Sequence, residues 1–371
     1  MFSASYGNIV ARGNDDDRAY HRVFGLFQTG VFTSIGTKAW FSASRAVNDS
    51  TFVNYGGVDK QQYNGKIYQP LGSNGDFISI AGHYNQNRNT FNGSTYTTSS
   101  FPGTAESRFY ETPSCTTDTA EAGVTDIANS CGSAFERRYN PSNTGNVRIN
   151  SRFTLAQGLT LTVDPSFQYT KANGGGTSYG YEGANADGYS GGYYTSDSRN
   201  TATSSSTQYY YFGGVDLNGD GDTQDFVRIL SPSQTETKRY GVIANLGYEI
   251  DPNNRVRLSY TFDRARHRQT GEAGYLTLSG DPVDVFPVND PITDADGNVI
   301  QKRDRLSYAT LNQIAGEYRG SFADDSIVLL AGARAPFRRP RVAAPRGIHI
   351  IRRQGRGRRR RRRGDARGFC G

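Results

Sequence analysis

The sequence predicts an all-β protein: an antiparallel up-and-down transmembrane β-barrel, incomplete at about eleven strands, with long extracellular loops and a disordered Arg-rich C-terminal tail. Three observations carry this. Residues 239–267 read as two long strands of period-two alternation around one turn. The composition holds 44 Gly, 24 Tyr and 20 Phe but one Met and one Trp, which favours pleated sheet over helix bundles. Along the chain, short connections alternate with mostly long ones, as they do when every short turn lies at one rim of a barrel.

In the 239–267 hairpin, Tyr240, Val242, Ala244, Leu246, Tyr248 and Ile250 share one face. Gly241, Asn245, Gly247 and Glu249 share the other, with Ile243 the exception. Asp251-Pro252-Asn253-Asn254 is turn chemistry, because Pro presets φ and Asn tolerates a left-handed backbone. The return strand sets Val256, Leu258, Tyr260 and Phe262 against Arg257, Ser259, Thr261 and Asp263. Roughly ten alternating residues exceed the ~5–6 of a typical soluble strand. They match the roughly 9–11 tilted residues that cross a bilayer core.

The other strands, in order, are 2–10, 19–29, 37–47, 60–69, 76–87, 147–156, 159–170, 305–319 and 326–336. Short turns fall near Gly30, Pro70, Gln157, Asp251 and Ser321. The long polar segments are 88–146, 171–238 and 268–304. Pro165 occupies an apolar slot and lacks an N–H, so an edge, bulge or strand end is expected there. No apolar run approaches the ~18 residues of a membrane-spanning helix.

The net charge of +7 is misleading, because residues 337–371 contain 14 Arg and a single acid, Asp365. Without them the body carries a net −6. The tail, 338–371, is dominated by Arg, Gly, Ala and Pro, the composition of a GC-rich gene read out of frame. Its run 358–363 repels itself and is expected to be disordered. A basic arm for nucleic acid is the other reading, but the tail lacks interleaved aromatics for stacking, and no nucleic-acid partner is expected. Cys115 and Cys131 share one polar loop, and pairing them would imply an oxidising compartment; two free thiols is the alternative. Met1 leads directly into a strand pattern, with neither the charged nor the apolar region of a signal peptide.

KQQYNGKIYQPLGSNGDFISIAGHYNQNRN (60–89), GVDLNGDGDTQDFVRILSPSQTETKRYGV (214–242) and SIVLLAGARAPF (326–337) resemble barrel segments of TonB-dependent outer-membrane receptors. The resemblance covers roughly residues 1–337 and implies part of a barrel of roughly 22 strands. It implies an outer-membrane location, contact with outer-membrane lipid, and uptake of a scarce bulky solute such as a ferric siderophore. Coupling to TonB is implied only for a full-length receptor, since neither the plug nor the TonB box of the family is in this stretch. An odd strand count also points to a fragment.

One motif stands out. Asp216-Leu217-Asn218-Gly219-Asp220-Gly221-Asp222 sets oxygen ligands at positions 1, 3, 5 and 7 with Gly at 6, as in the first half of an EF-hand-type calcium loop. Position 12 is Val227 rather than Glu, leaving Asp225 as a substitute carboxylate. The candidate metal ligands are therefore Asp216, Asn218, Asp220, Asp222 and Asp225, with calcium the one candidate cofactor. An acidic surface turn is the plain alternative. Tyr179, Tyr181, Tyr189, Tyr193 and Tyr194 are candidate contacts for a bulky ligand, since tyrosine buries area at low entropy cost and keeps a polar tip. Girdle and loop packing is the alternative, favoured for residues 209–211. Lys38, His83, Arg148, Arg152, Arg257 and Asp263 fall on polar strand faces and are expected to line a lumen. No nucleophile elbow, P-loop, CxxC or histidine pair at metal spacing occurs, so no enzyme is expected. A soluble secreted glycan-binding β-protein is the second reading.

Overall fold

The computed structural model describes residues 1–10, 18–50, 56–90, 119–126, 139–184, 188, 193–194, 209–277, 280–324, 326–338 and 341–343. Its main sheet is built from β1 (Phe2–Asn8), β2 (Ala19–Val31), β3 (Lys38–Asp49), β4 (Gly57–Leu71), β5 (Asp76–Asn89), β6 (Ser142–Ala156) and β7 (Leu159–Gly174). A second, smaller sheet interrupts, made of β8 (Thr177–Tyr181), β9 (Tyr193–Tyr194), β10 (Tyr209–Tyr211) and β11 (Phe226–Leu230). The main sheet resumes with β12 (Ser233–Asp251), β13 (Asn254–Glu272), β14 (Gln301–Phe322) and β15 (Ile327–Arg338). Each main-sheet strand pairs antiparallel with the next, in the order β1 to β7 and then β12 to β15. That is the eleven-strand meander the alternation predicts. A short β16 (Arg341–Ala343) pairs with β14 beyond the end of β15.

The meander is a single layer, and its two faces are chemically opposed. One cross-strand row runs Val163, Ala244, Tyr260, Ile314, Ala335, and the next Leu161, Leu246, Leu258, Gly316, Ala333. Tyr240, Leu246, Tyr248, Leu258, Tyr260 and Ile314 on this face are exposed. Among the described residues nothing covers this face, so apolar side chains stand outward in a continuous band. From Tyr240 to Tyr248 the band spans roughly 25 Å along a strand at ~3.3 Å per residue. Tyr240 stands at one margin of this stretch and Tyr248 at the other, with Tyr260 in the row between them.

Turn chemistry explains the short rim. Gln157-Gly158 joins β6 to β7 with Gly158 at φ 72°, and a Cβ there would stand 2.7 Å from Glu249 O. Asp251 Oδ1 accepts the Asn253 N–H at 2.9 Å and caps the β12–β13 turn.

Pro165 sits neither at an edge nor at a strand end: β7 continues through it and pairs it with Val242 of β12. The adjustment is made on the other side, where the β6–β7 ladder lapses between Arg148 and Phe153. Ser151 fills the gap, its Oγ donating to Val163 O at 2.7 Å while accepting the Val163 N–H at 3.0 Å. Its own N–H reaches Asp164 Oδ1 at 2.9 Å.

The buried core of the described residues is at the long-loop end, under the small sheet. Tyr210, Phe212, Leu217, Val227, Ile229, Ala273, Ile292 and Ile300 form one cluster, and Tyr179, Tyr211 and Phe226 another. This cap is rooted on the main sheet. Leu230 and Gly274 exchange backbone hydrogen bonds, and Lys302 Nζ donates to Ser231 O at 2.6 Å. The glycine run 174–176 belongs to that root. A Cβ on Gly175 would lie 1.7 Å from Tyr139 O, so only glycine lets the two backbones pass. Gly175→Ala is expected to destabilise the cap root by about 1–3 kcal/mol, read as faster amide exchange in β8 and β11.

Candidate functional site

Two sites emerge from these elements: the polar face of the meander, and an acidic centre in the cap.

The polar face is a hydrogen-bonded wall. Asn245 Nδ2 donates to Thr162 Oγ1 at 3.0 Å, and Ser259 Oγ donates to Asn245 Oδ1 at 2.7 Å, tying three strands in one rung. Arg257 pairs with Glu317 at 2.8 Å, and Arg239 makes a bidentate pair with Asp263. His83 Nδ1 lies 2.7 Å from Asn64 Oδ1. His83, Asn64, Trp40, Lys66 and Arg148 line a shallow groove on this face. The lumen residues named from sequence thus find partners mostly in neighbouring strands.

The acidic centre is assembled from three connections. Its first part is the 216–225 loop, between β10 and β11. Asp216 accepts the N–H groups of Gly219 and Gly221 at 2.6 and 3.0 Å, which curls the loop. Asp220, Asp222 and Asp225 turn inward. Glu182, one residue past β8, is fully buried. Its Oε1 accepts Leu217 N–H at 2.6 Å and its Oε2 accepts Asp225 N–H at 3.1 Å. The third part is the segment around Asp126, from the β5–β6 connection. Asp126 N–H donates to Asp225 Oδ1 at 2.7 Å, and Gly123 N–H donates to Asp222 Oδ2 at 2.6 Å.

Two carboxylate triads result, Asp126 with Asp220 and Asp225, and Glu182 with Asp222 and Asp225; within each, the oxygens lie within 4.8 Å of one another. Burial pushes the Glu182 carboxyl up to about 7, against the two backbone N–H groups that favour its charged form. Burial likewise raises Asp225.

The structure therefore brings together three of the five ligands named from sequence, Asp220, Asp222 and Asp225. It puts Asp216 in neither triad, and Asn218 donates its Nδ2 to Asp225 Oδ2 at 2.6 Å. Sequence reasoning missed Glu182 and Asp126. Neither has a motif around it, and each arrives from another connection. Of the tyrosines, Tyr179 is buried with Arg228 Cζ 3.9 Å over its ring. Tyr181 packs on Phe226 with ring centroids 4.7 Å apart and the planes tilted by 32°. Tyr193 and Tyr194 form the edge strand of the cap sheet. Tyr189, Cys115, Cys131 and residues 344–371 lie outside the described residues.

No protein-family model and no curated protein matches the chain. Solved structures do. The ferric-catecholate import receptor Fiu from E. coli K12 matches over 92% of this chain and 41% of its own, at 12% identity and TM-score 0.49. The ferripyoverdine receptor of the Pseudomonas aeruginosa outer membrane matches over 93% and 37%, at 10% identity and TM-score 0.48. The siderophore receptor PiuA from Acinetobacter baumannii matches over 91% and 46%, at 9% identity and TM-score 0.44. The chain is similar to siderophore receptors of the outer membrane. It spans less than half the length of each of these three.

Proposed function

We propose that this chain forms part of the barrel wall of a TonB-dependent outer-membrane receptor that takes up a scarce bulky solute, such as a ferric siderophore. The observation that carries the reading is the meander itself. It is one layer thick, with an uncovered apolar face backed by a hydrogen-bonded polar wall and with its short turns at one rim. Water would penalise that apolar face, whereas lipid accepts it. The barrel segments quoted from the sequence direct the reading to this family. The solute-facing end would be the cap. The plug and the TonB contact belong to the rest of such a receptor.

The single Trp of the chain gives a direct test. Trp40 lies on the polar face beside Asn64 and Lys66, and its neighbour Phe41 is 50% exposed on the apolar face. In vesicles of brominated lipid, Trp40 fluorescence is expected to stay nearly unquenched. A Trp40→Phe/Phe41→Trp double variant is expected to be strongly quenched. Equal quenching of both, or of neither, would overturn the membrane assignment. A soluble glycan-binding protein predicts the second outcome.

A further inference from the structure

We infer that the cap carries a calcium site that staples three of its connections together, with Asp220, Asp222, Asp225, Glu182 and Asp126 as its carboxylate ligands. This goes beyond the receptor reading and does not depend on it.

The loop by itself is half a site. Its alternating oxygens follow an EF-hand-type pattern, but the position that would close the coordination shell is Val227. Val227 is 5% exposed and packed in the hydrophobic cluster with Ile229 and Phe212, so it is committed to the core. The missing carboxylate comes instead from outside the loop. Glu182 is 0% exposed and joins Asp222 and Asp225 in one triad. Asp126 joins Asp220 and Asp225 in the other, so Asp225, itself 0% exposed, is common to both.

A second observation is independent of the acidity. Asp220 Oδ2 is buried and has no hydrogen-bond partner, although Asp220 Oδ1 accepts the Asp222 N–H at 2.9 Å. A carboxylate oxygen withdrawn from water needs a partner, and its residue, Asp220, belongs to a triad with two other carboxylates. Two carboxylate triads that share Asp225, with Asp225 and Glu182 fully buried, are a donor set for a hard cation. The ligands come from three chain segments and keep their own backbone hydrogen bonds, so they do not dictate strict octahedral geometry. That favours calcium over magnesium, which demands a tight octahedron and retains its waters.

The consequence is mechanical. A cation bound to this set ties the β5–β6 connection, the turn after β8 and the β10–β11 loop at one point. Without it, like charges at that point oppose the docking of the three segments.

The test uses the full chain folded in detergent micelles, stripped with a chelator and titrated with calcium chloride. Calorimetric heat is expected with half-saturation at about 0.1–1 mM, the range of extracellular calcium modules. Proteolysis between residues 119 and 232 should slow over the same range. Magnesium is expected to act at least about tenfold more weakly. Glu182→Gln and Asp225→Asn are each expected to raise the half-saturation by about tenfold or more, and Asp296→Asn, in an exposed turn outside the cluster, to leave it unchanged. If Glu182→Gln fails to fold, Asp126→Asn carries the same expectation from a less buried position. No heat and no protection at ~10 mM calcium, or full wild-type affinity in Glu182→Gln, would overturn the site. Brominated-lipid quenching reads the wall and calcium reads the cap, so either inference can fail alone.

Discussion

Ile314→Arg is expected to destabilise the membrane-inserted protein by about 2–4 kcal/mol, the cost of a cation near the middle of a barrel's lipid face. Ile314 is 52% exposed, on the apolar face, in the row that holds Ala244 and Tyr260. That row lies midway between the tyrosine margins at Tyr240 and Tyr248, where an arginine head has farthest to reach for water. Gln313→Arg is the control. The next residue along β14 points to the opposite face, where Arg257 and Glu317 already pair. Its cost is expected to stay within about 0.5 kcal/mol. Urea unfolding from lipid vesicles compares the two. Equal costs at the two positions would show that the faces are not in different solvents.

Phe212→Ala is the second large expectation, at about 3–5 kcal/mol, and confined to the cap. Phe212 is fully buried, its ring 6.5 Å from that of Tyr210 and against the open Cα of Gly180, where a Cβ would stand 2.7 Å from Phe212 Cε2. Truncation removes the ring that fills this space, and the backbone around it is fixed: Phe212 N–H donates to Tyr181 O and Phe212 O accepts the Ala295 N–H. The neighbours therefore collapse poorly, which puts the cost at the high end. Proteolysis within 209–232 should accelerate, while unboiled protein should still migrate differently from boiled protein on a gel, as expected of a folded sheet that persists. Loss of both together would mean that the cap and the wall fold as one unit.

The wall was legible because its physics is local. Period-two alternation such as Tyr240 to Ile250 needs no partner to be recognised, and Gln157-Gly158 or Asp251-Pro252 marks its own turn. The cap was not legible, and the reason is visible in its pairing. β8 lies between β11 and β10, the latter parallel to it and about thirty residues away, so no hairpin signal announces the sheet. The run Tyr210-Tyr211-Phe212 does not alternate apolar with polar, because all three are buried. That three-residue aromatic run inside a Gly/Ser-rich segment was the available signal for a core. The acidic centre was half legible. Spacing gives away Asp220 and Asp222, while Glu182 and Asp126 reach the site only through tertiary folding. The lapse of the β6–β7 ladder beside Pro165 was visible only as a conflict between proline and strand.

The excess length of β12, β13 and β14 has one more consequence. These strands run 19, 19 and 22 residues, roughly twice what a bilayer core needs. Their far halves leave the apolar band and carry charge instead, with Arg266 at 3.4 Å from Glu236 and Arg268 at 3.4 Å from Asp304. If the chain is the receptor wall proposed above, each of these strands lives in two solvents. On the receptor reading the apolar face meets lipid and is indifferent to ionic strength, while the charged pairs beyond the band are ones that salt screens over a Debye length of about 8 Å. Seawater and fresh water would grip the charged halves differently and leave the apolar face alike. Fraying would start at the cap and stop at the lipid.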